Sequence, residues 1–247
     1  MKKYLIILML VSAIPLYAQN FSTTNLQLFY GFDFDDQLFG YNTEDGDMFN
    51  FQLEHFGTWK YGDHYFFVQF FKGDFLDFAG NSTSERYRMY GEYTARLSIC
   101  KVLNGKTSEG FLKDVLLAAQ FNQGSNNFHA TLVGLGFTFN VKGFNVLDIN
   151  TFYKNDNFGT ETLQITTIWQ IPIQLGKARF SFDGYFDLAG NDSFGTDFIS
   201  QPKLLWDLGN CFSKESVGKL QIGCDWYIHT NEVVKTSAPQ AVLKWSW

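Results

Sequence analysis

Apolar and polar residues alternate along this chain with a period of two. In the stretch NLQLFYGFD, Leu26, Leu28, Tyr30 and Phe32 fall on one face, while Asn25, Gln27, Phe29, Gly31 and Asp33 fall on the other. FNFQLEHF repeats this, with Phe49, Phe51 and Leu53 opposed to Asn50, Gln52 and Glu54. Further on, ERYRMYGEYTARLS sets Tyr87, Met89, Tyr93 and Leu97 against Arg86, Arg88, Glu92 and Arg96. Successive side chains of a strand point to opposite faces, so such runs specify strands with one greasy and one polar face. The pattern continues over 115–122, 129–139, 145–154, 162–171, 179–188, 198–207, 220–230 and 240–247. With four strands between Asn25 and Ser98, the third running from Asp63 to Phe71, the total is about twelve, an even number as single-chain outer-membrane barrels require. Segment length also fits the roughly 9 to 11 residues that a tilted strand needs to cross a bilayer.

Periodicity does not say which face is inside. A soluble sandwich or lipocalin-like barrel turns its apolar face inward, and a membrane barrel turns it outward. The end of the chain decides for the membrane. AVLKWSW places Leu243, Trp245 and Trp247 on one face, the aromatic-terminated strand that outer-membrane barrels present to their assembly machinery. Trp59, Tyr61, Trp169, Trp206 and Trp226 stand near segment ends and read as interfacial girdles. Connections agree. If the first strand rises from the periplasm, the external ones include FDFDDQLFGYNTEDGD, GDFLDFAGNSTS and NQGSNN, while KYGD and NVKG make short inner turns and 99–111 and 208–218 longer ones. The expected fold is all-β, a transmembrane antiparallel β-barrel of the outer-membrane type, with outer-membrane lipid around it and the barrel-assembly machinery as partner of its last strand.

The N-terminal MKKYLIILMLVSAIPLYAQN has two lysines, an apolar run from Tyr4 to Leu16 and small Ala18, the order of a secretory signal peptide over 1–18. That leaves 19–247 as one barrel domain without a linker, in the outer membrane of a Gram-negative bacterium. The formal charge of −6 becomes more negative once Lys2 and Lys3 leave, which argues against nucleic acid as a partner. Cys100, Cys211 and Cys224 form an odd set without metal-ligand spacing and read as free thiols. Neither a Gly-rich phosphate loop nor a metal-ligand cluster occurs in the sequence, so no cofactor and no metal are expected.

In such a barrel the polar face lines the lumen. It reads Asn25, Gln27, Phe29 and Asp33, then Asn50, Gln52 and Glu54, then Arg86, Arg88, Tyr90, Glu92 and Arg96. Later strands add Asp148, Asn150, Lys154, Arg179, Asp183, Tyr185, Asp187, Gln201, Lys203, Gln221, Asp225, Tyr227 and His229. Both signs occur, so a filter made of one sign of charge is not indicated. The strand after Trp59 and Tyr61 also turns Tyr65, Phe67, Gln69 and Phe71 inward, more rings than a water channel needs. This mixture suits a neutral polar ring compound. Phe29, Tyr90, Tyr185 and Tyr227 are candidates to stack on a base, each worth roughly 1 to 3 kcal/mol in nucleic-acid binders. Glu54, Glu92, Asp183 and Asp225 are candidates to accept from ribose hydroxyls, and Arg86, Arg88 and Lys203 to donate to base acceptors, with Asp33 and Asn50 beside them. The bland alternative is that these groups pair across strands and fill the lumen.

NLQLFYGFD, LEHFGTWKYGDHYFFVQF and LSICKVLNGKTSEGFLKDVLLAAQFN resemble the nucleoside-specific channel-forming outer-membrane proteins, the Tsx-like family. The resemblance spans the mature chain in strand order and loop lengths, and residue by residue it runs from Asn25 to Asn122. It implies a narrow barrel whose lumen binds nucleosides through aromatic side chains beside ionisable and amide groups. The later half departs from the pattern, and no single ligand contact carries across. The expected function is thus passive diffusion of nucleosides or similar small solutes, without catalysis. Two other classes stay open. One is a plugged barrel acting through its acidic first loop, where Asp33, Asp35, Asp36, Glu44, Asp45 and Asp47 cluster. The other is an outer-membrane hydrolase, whose base would be His55, His64, His129 or His229, none set in a recognisable serine or carboxylate constellation.

Overall fold

The structure, a computed structural model, describes residues 19–125, 127–158, 161–192 and 195–247. The signal peptide expected over 1–18 lies outside the described residues. The strands are β1 (Gln19–Gly31), β2 (Asp35–Asp36), β3 (Tyr41–Asn42), β4 (Met48–Trp59), β5 (Gly62–Lys72), β6 (Tyr87–Ser98), β7 (Leu112–Gly124) and β8 (His129–Phe139). They continue with β9 (Val146–Asp156), β10 (Glu161–Leu175), β11 (Ala178–Asp192), β12 (Gly195–Ser200), β13 (Lys203–Asp207), β14 (Leu220–Thr230) and β15 (Lys235–Ser246). Consecutive long strands pair antiparallel, and β1 pairs with both β4 and β15, so the sheet closes on itself.

β12 and β13 are two halves of one stave. Both pair with β11 on one side and β14 on the other. The break falls at Gln201 and Pro202, because proline has no N–H to give to the ladder. Counted once, this stave makes a closed barrel of twelve.

The distribution of polarity is inside out. Asn25, Gln27, Asn50, Gln52, Gln69, Gln120 and Asn122 are buried. Leu163 is 70% exposed, Val133 52%, Leu117 51% and Trp226 45%. In water each such leucine would forgo roughly 1.5–3 kcal/mol of burial, whereas lipid covers it at no such cost. The outward apolar face therefore belongs against a membrane. At the mouth where the described residues begin and end, Trp245 and Trp247 lie 5.6 Å apart and Trp59 and Tyr61 6.2 Å apart, ring to ring, forming part of an aromatic girdle.

Turns at this terminal mouth are tight between β4 and β5 and between β10 and β11. The longer one after β6 carries a short helix, Ile99–Asn104, which is capped by the Ser98 hydroxyl and closed by left-handed Gly105. One turn and a half is too short to leave a periodic signal in sequence. The opposite mouth is covered differently. There the first connection, 32–47, folds back over the lumen and carries the β2–β3 hairpin.

Candidate solute pathway

Two cavities divide the lumen. The far chamber, on the side away from the termini, encloses about 580 Å³, and the terminal vestibule about 1310 Å³. Four side chains line both and so mark a waist: Phe67 of β5, Glu92 of β6, and Tyr185 and Asp187 of β11. Around the ring, β5 and β11 are six staves apart, which is diametrically opposite. Phe67 and Glu92 are direct cross-strand partners. Tyr185 and Asp187, two residues apart, share the inward face. Each wall thus offers one ring and one carboxylate to the same constriction.

Neutral donors hold these groups. Tyr90 donates its hydroxyl to Glu92 at 2.6 Å, Gln120 donates to the other Glu92 oxygen at 3.0 Å, and Asn122 donates to the Tyr90 oxygen at 3.0 Å. Across the lumen, the Thr166 hydroxyl donates to Asp187 at 2.5 Å and Tyr185 donates to Gln201 at 3.1 Å. Phe67 lies 6.0 Å from Tyr65 and 5.9 Å from Tyr90, giving a continuous aromatic ledge along β5 and β6.

The far chamber is roofed by the first loop. At Gly31, the last residue of β1, a Cβ would meet the Phe34 ring at 2.4 Å, so the bare backbone lets Phe34 tuck inward. Asp33 takes the left-handed conformation at φ 61°, turning the chain. Phe34 then stacks on Tyr227 at 5.8 Å, within a cluster that includes Met48, Phe71 and Phe75. Asp36, fully buried, accepts from the Tyr227 hydroxyl at 2.5 Å and contacts His229 Nδ1 at 2.7 Å, while Phe39 stacks on the His229 ring at 4.4 Å. On the other side the Arg88 guanidinium donates to the carbonyls of Gly40 and Leu76, pairs with Glu85 at 2.9 Å and lies over the Phe75 ring. The loop is therefore a strap from β14 to β6 across the mouth. Behind it, the second long connection is pinned by Asp77. Asn81 donates to the Asp77 carboxyl from its side chain and backbone and, with the Ala79 N–H, holds it below the usual aspartate range.

In the vestibule one buried cation is shared by two carboxylates, and other charges are held by neutral groups. Arg96 bridges Asp63 at 2.7 Å and Asp148 at 2.8 Å, tying β6 to β5 and β9. Glu54 accepts from Asn25, Gln27, Gln52 and Tyr65. Lys203 donates to Gln27 at 3.0 Å and sits over the Phe29 ring.

The candidates from the sequence thus separate. Tyr90, Glu92 and Tyr185 gather at or beside the waist, and Asn50 faces the far chamber. Glu54, Asp183 and Lys203 line the vestibule. Arg88 and Tyr227 hold the strap, Phe29 packs against Leu205 and Val242, and Asp225 accepts from Gln240 and Gln201 in the wall. Two expected lumen residues are elsewhere. β1 stops at Gly31, so Asp33 is exposed on the loop. β6 starts only at Tyr87, so Arg86 is half exposed and pairs with Asp74. Asp36, one of the acidic cluster of the first loop, is fully buried rather than displayed on the surface. The signal for it was there, in the apolar Phe34, Leu38, Phe39 and Tyr41 of a stretch that otherwise reads as solvated.

The histidines fall in different settings. His229 belongs to the strap. His55 and His64 stack at 5.4 Å on the outer face, where the Thr24 hydroxyl meets His55 Nδ1 at 2.8 Å, with no carboxylate hydrogen-bonded to either ring among the described residues. All three cysteines are free.

No protein-family profile matches the sequence, and no curated protein matches it. Solved structures do. The KdgM porin superposes with a TM-score of 0.51 at 8% identity, over 90% of this chain and 99% of that one. Outer membrane phospholipase A from Escherichia coli gives 0.54 at 10% identity, over 91% and 96%. The Salmonella typhi phospholipase dimer with bound calcium gives 0.55 at 11% identity, over 94% and 93%. At these identities the likeness is one of fold, the outer-membrane barrel.

Proposed function

We propose that this chain is an outer-membrane channel for the passive diffusion of small polar ring compounds, with nucleosides as the class that fits best. The waist carries this reading. Opposed rings, Phe67 and Tyr185, offer flat apolar faces to a base, and the carboxylates beside them accept from ribose hydroxyls or base amines. Several weak contacts in series, from Tyr90 through the waist to Glu54, suit a path where binding must also permit release. The resemblance of the first half of the chain to Tsx-like channels points the same way. In this reading the strap lies on the external side and narrows the mouth.

A barrel serving only as a structural or surface-binding element is favoured by one observation, the strap itself. Liposomes containing the refolded barrel separate the two. Uridine and adenosine are expected to enter faster than sugars of similar size. No entry of any solute through a verified barrel overturns the channel, and equal entry of sugars overturns the nucleoside class.

A further inference from the structure

Charge is not balanced along the pathway. The terminal vestibule is lined by eight carboxylates and seven cations, the far chamber by six carboxylates and two cations, with Glu92 and Asp187 of the waist counted in both. Most of the far-chamber charges are accounted for by near neighbours. Arg88 pairs with Glu85, Lys154 with Asp156, and Asp197 with His229. Asp77 is bonded within its own loop. What is left is the waist pair, Glu92 and Asp187, which receives hydrogen bonds from neutral groups and has no cation within ion-pair distance among the described residues. Lys154 acts on both from further off.

A second observation is independent of these acids. Gln240, which is 97% buried, lines the same chamber with an oxygen that has no donor. Its amide nitrogen donates to Asp225 at 2.7 Å, and since a carboxylate only accepts, the orientation of the amide is set. Asn50, also buried in this chamber, has an unpartnered oxygen too. These are acceptors that no protein donor among the described residues fills. A solute that carries donors and positive charge would meet the waist carboxylates, whereas the chamber's two cations, Arg88 and Lys154, are already engaged by Glu85 and Asp156 when an anion arrives.

We propose that the waist selects for cations and, among organic solutes, for ring compounds bearing a protonated amine, with Phe67 and Tyr185 taking the ring and Glu92 and Asp187 the charge. The attraction of a cation to an aromatic face adds to that of the carboxylates. Low-dielectric walls and surrounding lipid concentrate the field at a constriction, so a single uncompensated pair dominates ionic preference there. This deepens the channel reading and rests on it.

Planar bilayers under a KCl gradient read the ionic preference directly, whatever organic solute the channel takes. A permeability ratio of about 5 to 10 for potassium over chloride is expected, collapsing to within about twofold of unity in Glu92→Gln/Asp187→Asn. Lys154→Met, which removes the cation that acts on both carboxylates, should raise it. Flux of uridine, uridine monophosphate and 5-aminomethyluridine into liposomes adds the organic arm, with the amine fastest and the phosphate slowest. Chloride preference, or a ratio unchanged in the double variant, overturns the inference while uridine flux still upholds the channel. Cation preference without uridine flux upholds the inference and removes the nucleoside class. No conductance from a folded barrel overturns both.

Discussion

The two halves of the lumen are built on the same twelve staves yet solve different problems. The terminal vestibule is wide, and its charges are tied into the wall, with Arg96 between Asp63 and Asp148 and Glu54 among four neutral donors. The far chamber is less than half its volume, roofed by a strap and ringed by Phe67, Tyr90, Tyr185 and Phe71. Charge in the vestibule braces the wall. Charge in the far chamber is spent on the strap and on local pairs, or left facing the pathway. Residues of one type therefore have roles set by their level in the barrel, and a lumen arginine is no guide to ligand contact without that level.

The largest effect expected from this contrast is on stability. Arg96→Met would leave Asp63 and Asp148 without their shared cation, a loss of about 3–5 kcal/mol for breaking a buried pair. Urea unfolding in detergent would show it, and a change below 1 kcal/mol would mean that the vestibule ions are solvated and brace nothing. Asp36→Asn comes next. It removes the charged acceptor shared by Tyr227 and His229, worth about 1.5–3 kcal/mol, and is expected to free the strap and raise single-channel conductance. Unchanged conductance would show that the strap does not narrow the path.

Arg88→Lys keeps the charge but loses the fork that reaches Gly40, Leu76 and Glu85 together, so a smaller loss of about 1 kcal/mol and more frequent flickering of the current are expected. Last, Lys113→Gln at the exposed rim of the vestibule should change stability by no more than about 0.5 kcal/mol. A conductance change as large as that of the strap variant would instead place selectivity at the terminal mouth and erase the distinction between the two halves.

Much of the fold was legible in the sequence because strand alternation is local. Leu26, Leu28 and Tyr30 need only their own backbone to face away from Asn25, Gln27 and Phe29, and the aromatic C-terminus marks which face meets lipid. The twelve staves and their antiparallel order followed from segment spacing, and the structure has them at nearly the expected residues. The candidate site was legible only as a face. Alternation put Glu92, Tyr185 and Arg88 inward with equal weight, and nothing in their spacing said that the first two would meet at a waist while the third would hold a loop.

That difference has one physical cause. Which way a side chain points is fixed by the pleat, so the barrel, its outward apolar surface and the content of its lumen could be read from the order of residues alone. Which groups meet across the lumen depends on closure, which brings β5 to face β11 and carries Asp36 to His229 from nearly the whole length of the chain away. The inward turn of the first loop, the opposition of Phe67 and Glu92 to Tyr185 and Asp187, and the lack of a close cation at these carboxylates arise only when the folded barrel brings distant staves face to face.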